Sequence, residues 1–299
     1  MSVALRDAIK AGLVEGPRIL SSGQLLTTTG GHADFMPLWL NRSDDVVNVA
    51  DGVDGVLKAV RRQVKMRTDW VKFFATGGIM DPEDKQEFND QELEAMIGEA
   101  HDKEKLVCAH CMHAQGTLAA VKAGVDTVEH GSELTQEIVD LMVEKGTFLV
   151  PTLYAQLAVV NEGADFGLPP EYVERFKPMT ERGLKSFKLA WEAGVKVALG
   201  TDIGYNMVYH GTSARELEFL VQQGLSPMEA LVTATRSSAV ALRLEDRLGT
   251  IEPGKLADVV VVDGDPLAEV RILQQKEKIS LVMKEGAIYV NKLNGQGRQ

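Results

Sequence analysis

The stretch Ala109–Gly131, AHCMHAQGTLAAVKAGVDTVEHG, puts two histidines at the ends of two successive strands joined by one helix. Leu106 to Cys111, which leads into it, is short, apolar and rich in β-forming residues. Gln115 to Lys122 carries small and apolar side chains at helical spacing, Gly124 stops that helix, and Val125 to Glu129 reads as strand again. This is a βαβ unit, so the two strands run parallel. His110 and His130 then fall near the carboxyl ends of neighbouring strands, where α/β folds build their sites. One histidine there is more often a hydrogen-bonded core residue than a ligand; two in register shift the weight towards a site.

The same segment holds both cysteines, Cys108 and Cys111. Their C-x-x-C spacing suggests zinc or redox chemistry, but no second pair exists to complete a structural zinc site. Strand alternation also sends them to opposite faces, with Cys108, His110 and Met112 on one and Ala109, Cys111 and His113 on the other. Both read as reduced, packed thiols.

With 299 residues, 44% of them hydrophobic, the chain can bury the core of one large domain and a small appendage. A formal net charge of −11 disfavours nucleic acid or an anionic membrane as partner and points to a small-molecule substrate. Two cysteines, no apolar run of transmembrane length and no signal peptide at Met1 predict a cytoplasmic setting.

Outward from the opening stretch, the pattern repeats. Ser2 to Ala11 is helical with Gly12 as its stop, and Arg18 to Ser22 after Pro17 reads as a strand running into the loop GQLLTTTGGHADF. Val53 to Met66 is a helix with Val53, Val56, Leu57, Val60 and Val64 on one stripe, delivering Asp69 to Ala75 as the next strand. Lys72 lies inside that strand, where an unpaired ammonium is costly to bury, and the Thr76-Gly77-Gly78 loop after it allows close approach of a ligand. Asn89 and Glu92 form a capping-box pattern before a helix through Ala100. Beyond His130, Thr135 to Lys145 is helical, Gly146 stops it, and Thr147 to Leu153 reads as a strand. A helix from Glu171 to Ala193, broken or kinked at Pro178, leads through Gly194 to a strand ending near Asp202.

Strands alternating with helices at this rhythm imply α/β architecture with a parallel sheet, foremost a (β/α)8 TIM-type barrel. Six strands are predicted, near residues 18–22, 69–75, 106–111, 125–129, 147–153 and 195–200, where a closed barrel wants eight. Helices around 214–223 and 227–242 follow, and the pattern then turns to short β segments with Glu285-Gly286 suited to a hairpin turn. The division predicted is a barrel over 1–244, C-terminal β strands over 245–292 and a tail over 293–299.

The strand ends place Lys72, His110, His130 and Asp202 in one ring. Two imidazoles and a carboxylate suit a divalent metal of the zinc, manganese or iron kind. An ammonium cannot ligate a cation, but a lysine carbamylated by carbon dioxide becomes an anionic oxygen ligand.

In order and spacing, GPRIL, TGGHADF, DWVKFFATGGIMDP, AGVDTVEHG, LVPTLY, LGTD, HGTSARELEFLVQQGLSPMEALVTAT and LGTIEPGKLADVVVVDGDPL resemble the metal-dependent amidohydrolase superfamily, in its Xaa-Pro dipeptidase-like and imidazolonepropionase-like branch. The resemblance runs from Leu5 to about Tyr289. It implies that Lys72 is carbamylated, that His110 and His130 are metal ligands, and that Asp202 binds metal and moves the proton of the attacking water. It also implies one or two divalent ions, zinc foremost, and a C-terminal β region forming half of a small composite sandwich.

One departure accompanies the match. The family carries a His-x-His pair at the end of its first strand, and the histidines here stand at 32, 101, 110, 113, 130 and 210 with no such pair. Together with the strand count this predicts an N-terminally incomplete barrel with the first two strands missing. The expectation for such a chain is at most one weakly held metal, little or no hydrolysis, and an exposed strand edge and core that leave it poorly soluble or associating through that face as a homo-oligomer.

The function read from these residues is a metal-dependent hydrolase of amide or peptide C–N bonds, dipeptidase-like, using metal-activated water. His32, Tyr154 and His210 are the expected substrate-binding residues. Two alternatives stand beside it: a catalytically incomplete fragment that folds or binds without turnover, and an aldolase-type lyase with Lys72 as its Schiff-base lysine, which leaves both histidines unexplained.

Overall fold

A computed structural model describes residues 2–34, 46–79, 86–204 and 207–293. Phe35 of the TGGHADF motif, residues 80–82 of the DWVKFFATGGIMDP motif and residues 294–299 of the expected tail lie outside them. The chain divides into two units, one of Met1–Leu149 with Leu189–Val195 and one of Val150–Lys188 with Lys196–Gln299.

The first unit opens on α1 (Ser2–Lys10), tied down by Arg6, whose guanidinium reaches the Asp69 carboxylate at 2.6 Å. Strands β1 (Leu25–Thr27) and β2 (Val47–Val49) follow, then α2 (Gly52–Lys65), β3 (Trp70–Phe74), α3 (Asp90–Asp102), β4 (Leu106–Cys111), α4 (Ala114–Ala123), β5 (Thr127–His130), α5 (Gln136–Lys145) and β6 (Phe148–Val150). The sheet order is β2-β1-β3-β4-β5-β6, and the pairs of β1 with β2 and β3, of β3 with β4 and of β4 with β5 are parallel. Helices end where the glycines predicted, because Gly124 and Gly146 take the left-handed conformation that closes the last turn. The capping box of Asn89 and Glu92 is formed.

Two expected strands are corrected. Residues 18–22 are not a strand: the Ser21 carbonyl accepts from the Asp69 and Trp70 N–H groups while the Ser21 N–H is spent on the Asp69 carboxylate, at 2.8 Å, rather than on a ladder. The sheet position falls instead to β1, read from sequence as loop, whose Leu26 and Thr27 are fully buried between two neighbours. Residues 195–200 form no named strand either. Leu199 N–H goes to the Thr233 carbonyl, at 3.2 Å, and Ser238 Oγ, at 3.2 Å, so its donor is spent away from a ladder. The strand expected over 147–153 is shorter, since Thr152 turns left-handed at φ 49° and helix begins at Leu153.

The second unit holds α6 (Leu153–Glu162), α7 (Pro170–Glu192, which enters the first unit at Leu189), α8 (Ala214–Gln222), α9 (Pro227–Val232) and α10 (Ser238–Ala241), the last two joined by a π-helical turn over Thr233–Ser237. α7 continues through Pro178, so of the expected break or kink it is the break that does not occur. Strands β7 (Val259–Val262), β8 (Ile279–Lys284) and β9 (Ala287–Asn291) form an antiparallel meander. Glu285 and Gly286 make its tight turn with φ of 52° and 82°, both positive as a two-residue hairpin of this hand requires. No helix among the described residues is long and apolar enough to cross a membrane.

Candidate metal centre and substrate residues

In the first unit the parallel register pairs Lys72 with Cys108, Phe74 with His110 and His110 with Glu129. Lys72, Phe74, Cys108 and His110 therefore share a face of the sheet. His130 registers with Cys111, and plain alternation would turn it away from His110. It is re-aimed by its backbone: φ is 70° at His130 and 61° at Gly131, and this left-handed exit brings the two imidazoles to 4.7 Å between ring centroids, nearly perpendicular.

His32 completes the cluster. Its ring stacks on His110 at 4.8 Å with 16° between planes and meets the edge of Phe74 at 4.8 Å. Two devices hold it there. Glu87 accepts the His32 N–H at 2.6 Å and the Thr27 hydroxyl at 2.9 Å, fastening the loop. Gly78 leaves room for the ring, since a Cβ at that position would lie 2.5 Å from His32 Cε1.

Burial is the first cause holding both His110 and His130 neutral. It drives His110 well below the usual imidazole range, helped by His130, His32 and Lys72, against a backbone hydrogen bond with Gly77 that raises it. It takes His130 to about 3, with Lys72 and His32 adding to the effect. His110 Nε2 is buried without a hydrogen-bond partner, so the Gly77 bond engages Nδ1 and the Nε2 lone pair is left exposed to the cluster. A neutral imidazole with one nitrogen anchored and the other orphaned is the donor a divalent metal takes, and the two-histidine part of the site fits such an ion. Among the described residues no three His, Cys, Asp or Glu side chains are already gathered as a complete ligand set. Burial pushes the thiols of Cys108 and Cys111 up to about 12, which keeps both protonated.

Asp202, Tyr154 and His210 belong to the second unit. Asp202 is exposed, with a left-handed φ of 54°. Tyr154 and His210 lie in one hydrogen-bonded neighbourhood. The Tyr154 hydroxyl donates to Thr212 Oγ1 at 3.3 Å, and Thr212 donates to the Tyr209 carbonyl at 2.6 Å, within the turn that exposes His210. Arg215 covers Tyr154, its guanidinium 4.6 Å above the ring and Nη1 3.3 Å from the hydroxyl, and pairs bidentately with Glu162. The side-chain bond to Glu162 raises the Arg215 pKa above its ordinary value and holds the Glu162 carboxyl below its own. Glu216 is fully buried and accepts the N–H groups of Leu153 and Tyr154.

Reading the sequence thus picked out Lys72, His32, His110 and His130, which the first unit gathers on one sheet end. It missed Phe74, Glu87, Arg215 and Glu216. Arg215 and Glu216 lie inside the HGTSARELEFL motif, so a signal existed; Glu87 carries none, because only the folded loop brings it to His32.

Comparison with known proteins agrees with the fold. Aspergillus niger ochratoxinase is 32% identical over 303 residues, which cover 94% of this chain and 62% of that protein, so the chain spans less than two thirds of this relative's length. The structure of that ochratoxinase superposes with a TM-score of 0.86 at 30% identity over 97% of this chain and 70% of the other. A Xaa-Pro dipeptidase crystallised with methionine in its active site gives a TM-score of 0.87 at 36% identity, covering 96% of this chain and 72% of that one. The imidazolonepropionase of Haloarcula marismortui is 26% identical over 176 residues, 59% of this chain and 37% of its own. The sequence profile of the Amidohydrolase family matches residues 2–289, nearly the whole chain, which is therefore a member of that family.

Proposed function

We propose that this protein is a metal-dependent hydrolase of amide C–N bonds, dipeptidase-like, with Xaa-Pro dipeptides as its substrate class. The observation carrying the reading is the His110–His130 pair, two imidazoles 4.7 Å apart, both held neutral by burial, with His110 Nε2 lacking any partner. The similarity to a Xaa-Pro dipeptidase and to a prolidase crystallised with N-methylphosphonate-L-proline supports the substrate class.

His110 and His130 would hold the ion through neutral nitrogens, with a carbamylated Lys72 as oxygen donor, and the family resemblance assigns Asp202 as a further oxygen donor. A bound divalent ion, zinc foremost, supplies Lewis acidity that lowers the pKa of water and polarises an amide carbonyl. Asp202 takes the proton of the attacking water and returns it to the leaving amine. His32, fixed on His110 and Gly78, binds the dipeptide from the first unit, and the same role is proposed separately for Tyr154 and His210 of the second. In carbamylated form Lys72 loses the positive charge that otherwise opposes a cation beside the two histidines.

Elemental analysis of the wild-type chain, His110→Ala and His130→Ala, run beside a dipeptide library, tests this. Both variants should lose bound divalent metal, and whatever dipeptide cleavage the wild type carries out, however slow, should favour Xaa-Pro members over the others. Full metal retention in both variants would overturn the ligand assignment, and cleavage without preference would overturn the substrate class.

A further inference from the structure

Glu216 sits in the first turn of α8 with no exposed surface, on the same buried face as Leu217 and Leu220. A carboxyl group in such a place is expensive unless its oxygens are occupied. Both are: one accepts the Leu153 N–H at 2.8 Å and the other the Tyr154 N–H at 2.7 Å. These are the first two residues of α6, whose N–H groups have no partner within the helix. The residue in the local capping position, Thr152, is left-handed and makes no side-chain cap. The cap comes instead from Glu216, 62 and 63 residues further along the chain.

A local serine or aspartate would satisfy those amides equally well. A cap delivered from another helix does something more, because it fixes the start of α6 against α8. The neighbouring Arg215 grips the same helix at its other end, through Glu162, and grips Tyr154 directly at ring face and hydroxyl. Tyr154 is thus held at backbone nitrogen, ring and phenol oxygen, and is 1% exposed. Packing alone would ask for phenylalanine. Holding the hydroxyl in one orientation is what this arrangement adds: the phenol oxygen accepts from Arg215 and its proton is directed at Thr212 Oγ1.

We infer that Glu216 is a positioning residue for the reaction: it touches no substrate, and by capping α6 across α8 it sets the Tyr154 hydroxyl in the orientation that engages the dipeptide. The inference rests on the substrate role proposed above for Tyr154.

The test is a double-mutant cycle of Glu216→Gln and Tyr154→Phe on the metal-loaded full chain, read as kcat and KM for a Xaa-Pro dipeptide and as amide hydrogen exchange at Leu153 and Tyr154. Glutamine keeps one acceptor oxygen but turns an NH2 towards the second backbone N–H, so exchange at the two amides should accelerate in E216Q and stay slow in Y154F. Each single variant should lower kcat/KM about tenfold, the scale of one hydrogen bond, with the same split between kcat and KM. The double variant should be no worse than Y154F, because Glu216 acts only through that hydroxyl. Losses that multiply in the double variant, or an E216Q that hydrolyses as the wild type does, would overturn the inference while leaving the substrate reading intact. A wild-type chain that cleaves no dipeptide would overturn the substrate reading and the inference with it, whatever the exchange data show. Should E216Q fail to fold, Arg215→Lys, which keeps the charge but loses the planar fork, takes its place on kcat/KM, and its loss must likewise vanish in the Y154F background.

Discussion

Gly116, the third residue of α4, is where helix propensity and packing pull in opposite directions. Its backbone is ordinary helix, so alanine there should by propensity alone stabilise the chain by about 1 kcal/mol. The tertiary structure reverses the sign. A Cβ on Gly116 would lie 2.3 Å from the Ala75 carbonyl oxygen, 2.7 Å from Thr76 Cγ2 and 3.0 Å from the Ala75 carbonyl carbon, and two of these are backbone atoms that no rotamer change can move. Ala75 is itself fixed, donating to the His110 carbonyl at 3.0 Å and accepting from Glu87 N–H at 3.0 Å, so relief means shifting α4 or the end of β3. Overpacking a tight core by one methyl costs about 3 kcal/mol at the upper end of its usual range, leaving Gly116→Ala a net loss of about 2 kcal/mol. Gly98 in α3 is the matched control, with helical backbone and nothing within 4 Å of its absent Cβ, and Gly98→Ala should gain the propensity alone. Thermal melts of the three proteins, run side by side, should place G116A several degrees below wild type and G98A slightly above it. A G116A that melts at or above wild type would refute the close-packing argument.

Gly78→Ala should reproduce the kinetic defect of His32→Ala on Xaa-Pro dipeptides with little change in melting temperature, because the added Cβ meets only the tip of a movable ring; unchanged kinetics would show that His32 does not depend on this contact. Burial pushes Glu216 from 4.5 up to about 8, against the two backbone N–H groups that pull it down. The folded chain therefore holds a proton that the unfolded chain has released between those values, and stability falls as pH rises through that window. Urea titrations from pH 5 to pH 8 should show wild type losing stability relative to E216Q, and parallel curves would contradict the shift.

Much was legible in the sequence because it is encoded locally. Helix stops at Gly124 and Gly146, the capping box at Asn89 and the hairpin turn at Glu285-Gly286 depend on residues a few positions apart, and each formed as read. The alternation of helix and strand that placed Lys72, His110 and His130 at strand ends is likewise a short-range pattern, and the family motifs that carry it are contiguous. The rest depends on partners distant in the chain. A strand as short as Leu25–Thr27 has too few residues to show a period, and it became a strand because β2 and β3 offered their edges, whereas residues 195–200, with a convincing pattern, spent the Leu199 donor on Thr233 and Ser238. Alternation alone would have turned His130 away from His110; the left-handed backbone at His130 and Gly131 brought the rings together, and nothing in the residue types forces that conformation on a histidine. Neither Glu87 nor Glu216 is singled out by reading the sequence. Only tertiary structure made one the latch of the His32 loop and the other a buried cap on α6, because a carboxylate's role follows from which unpaired N–H groups the fold carries to it.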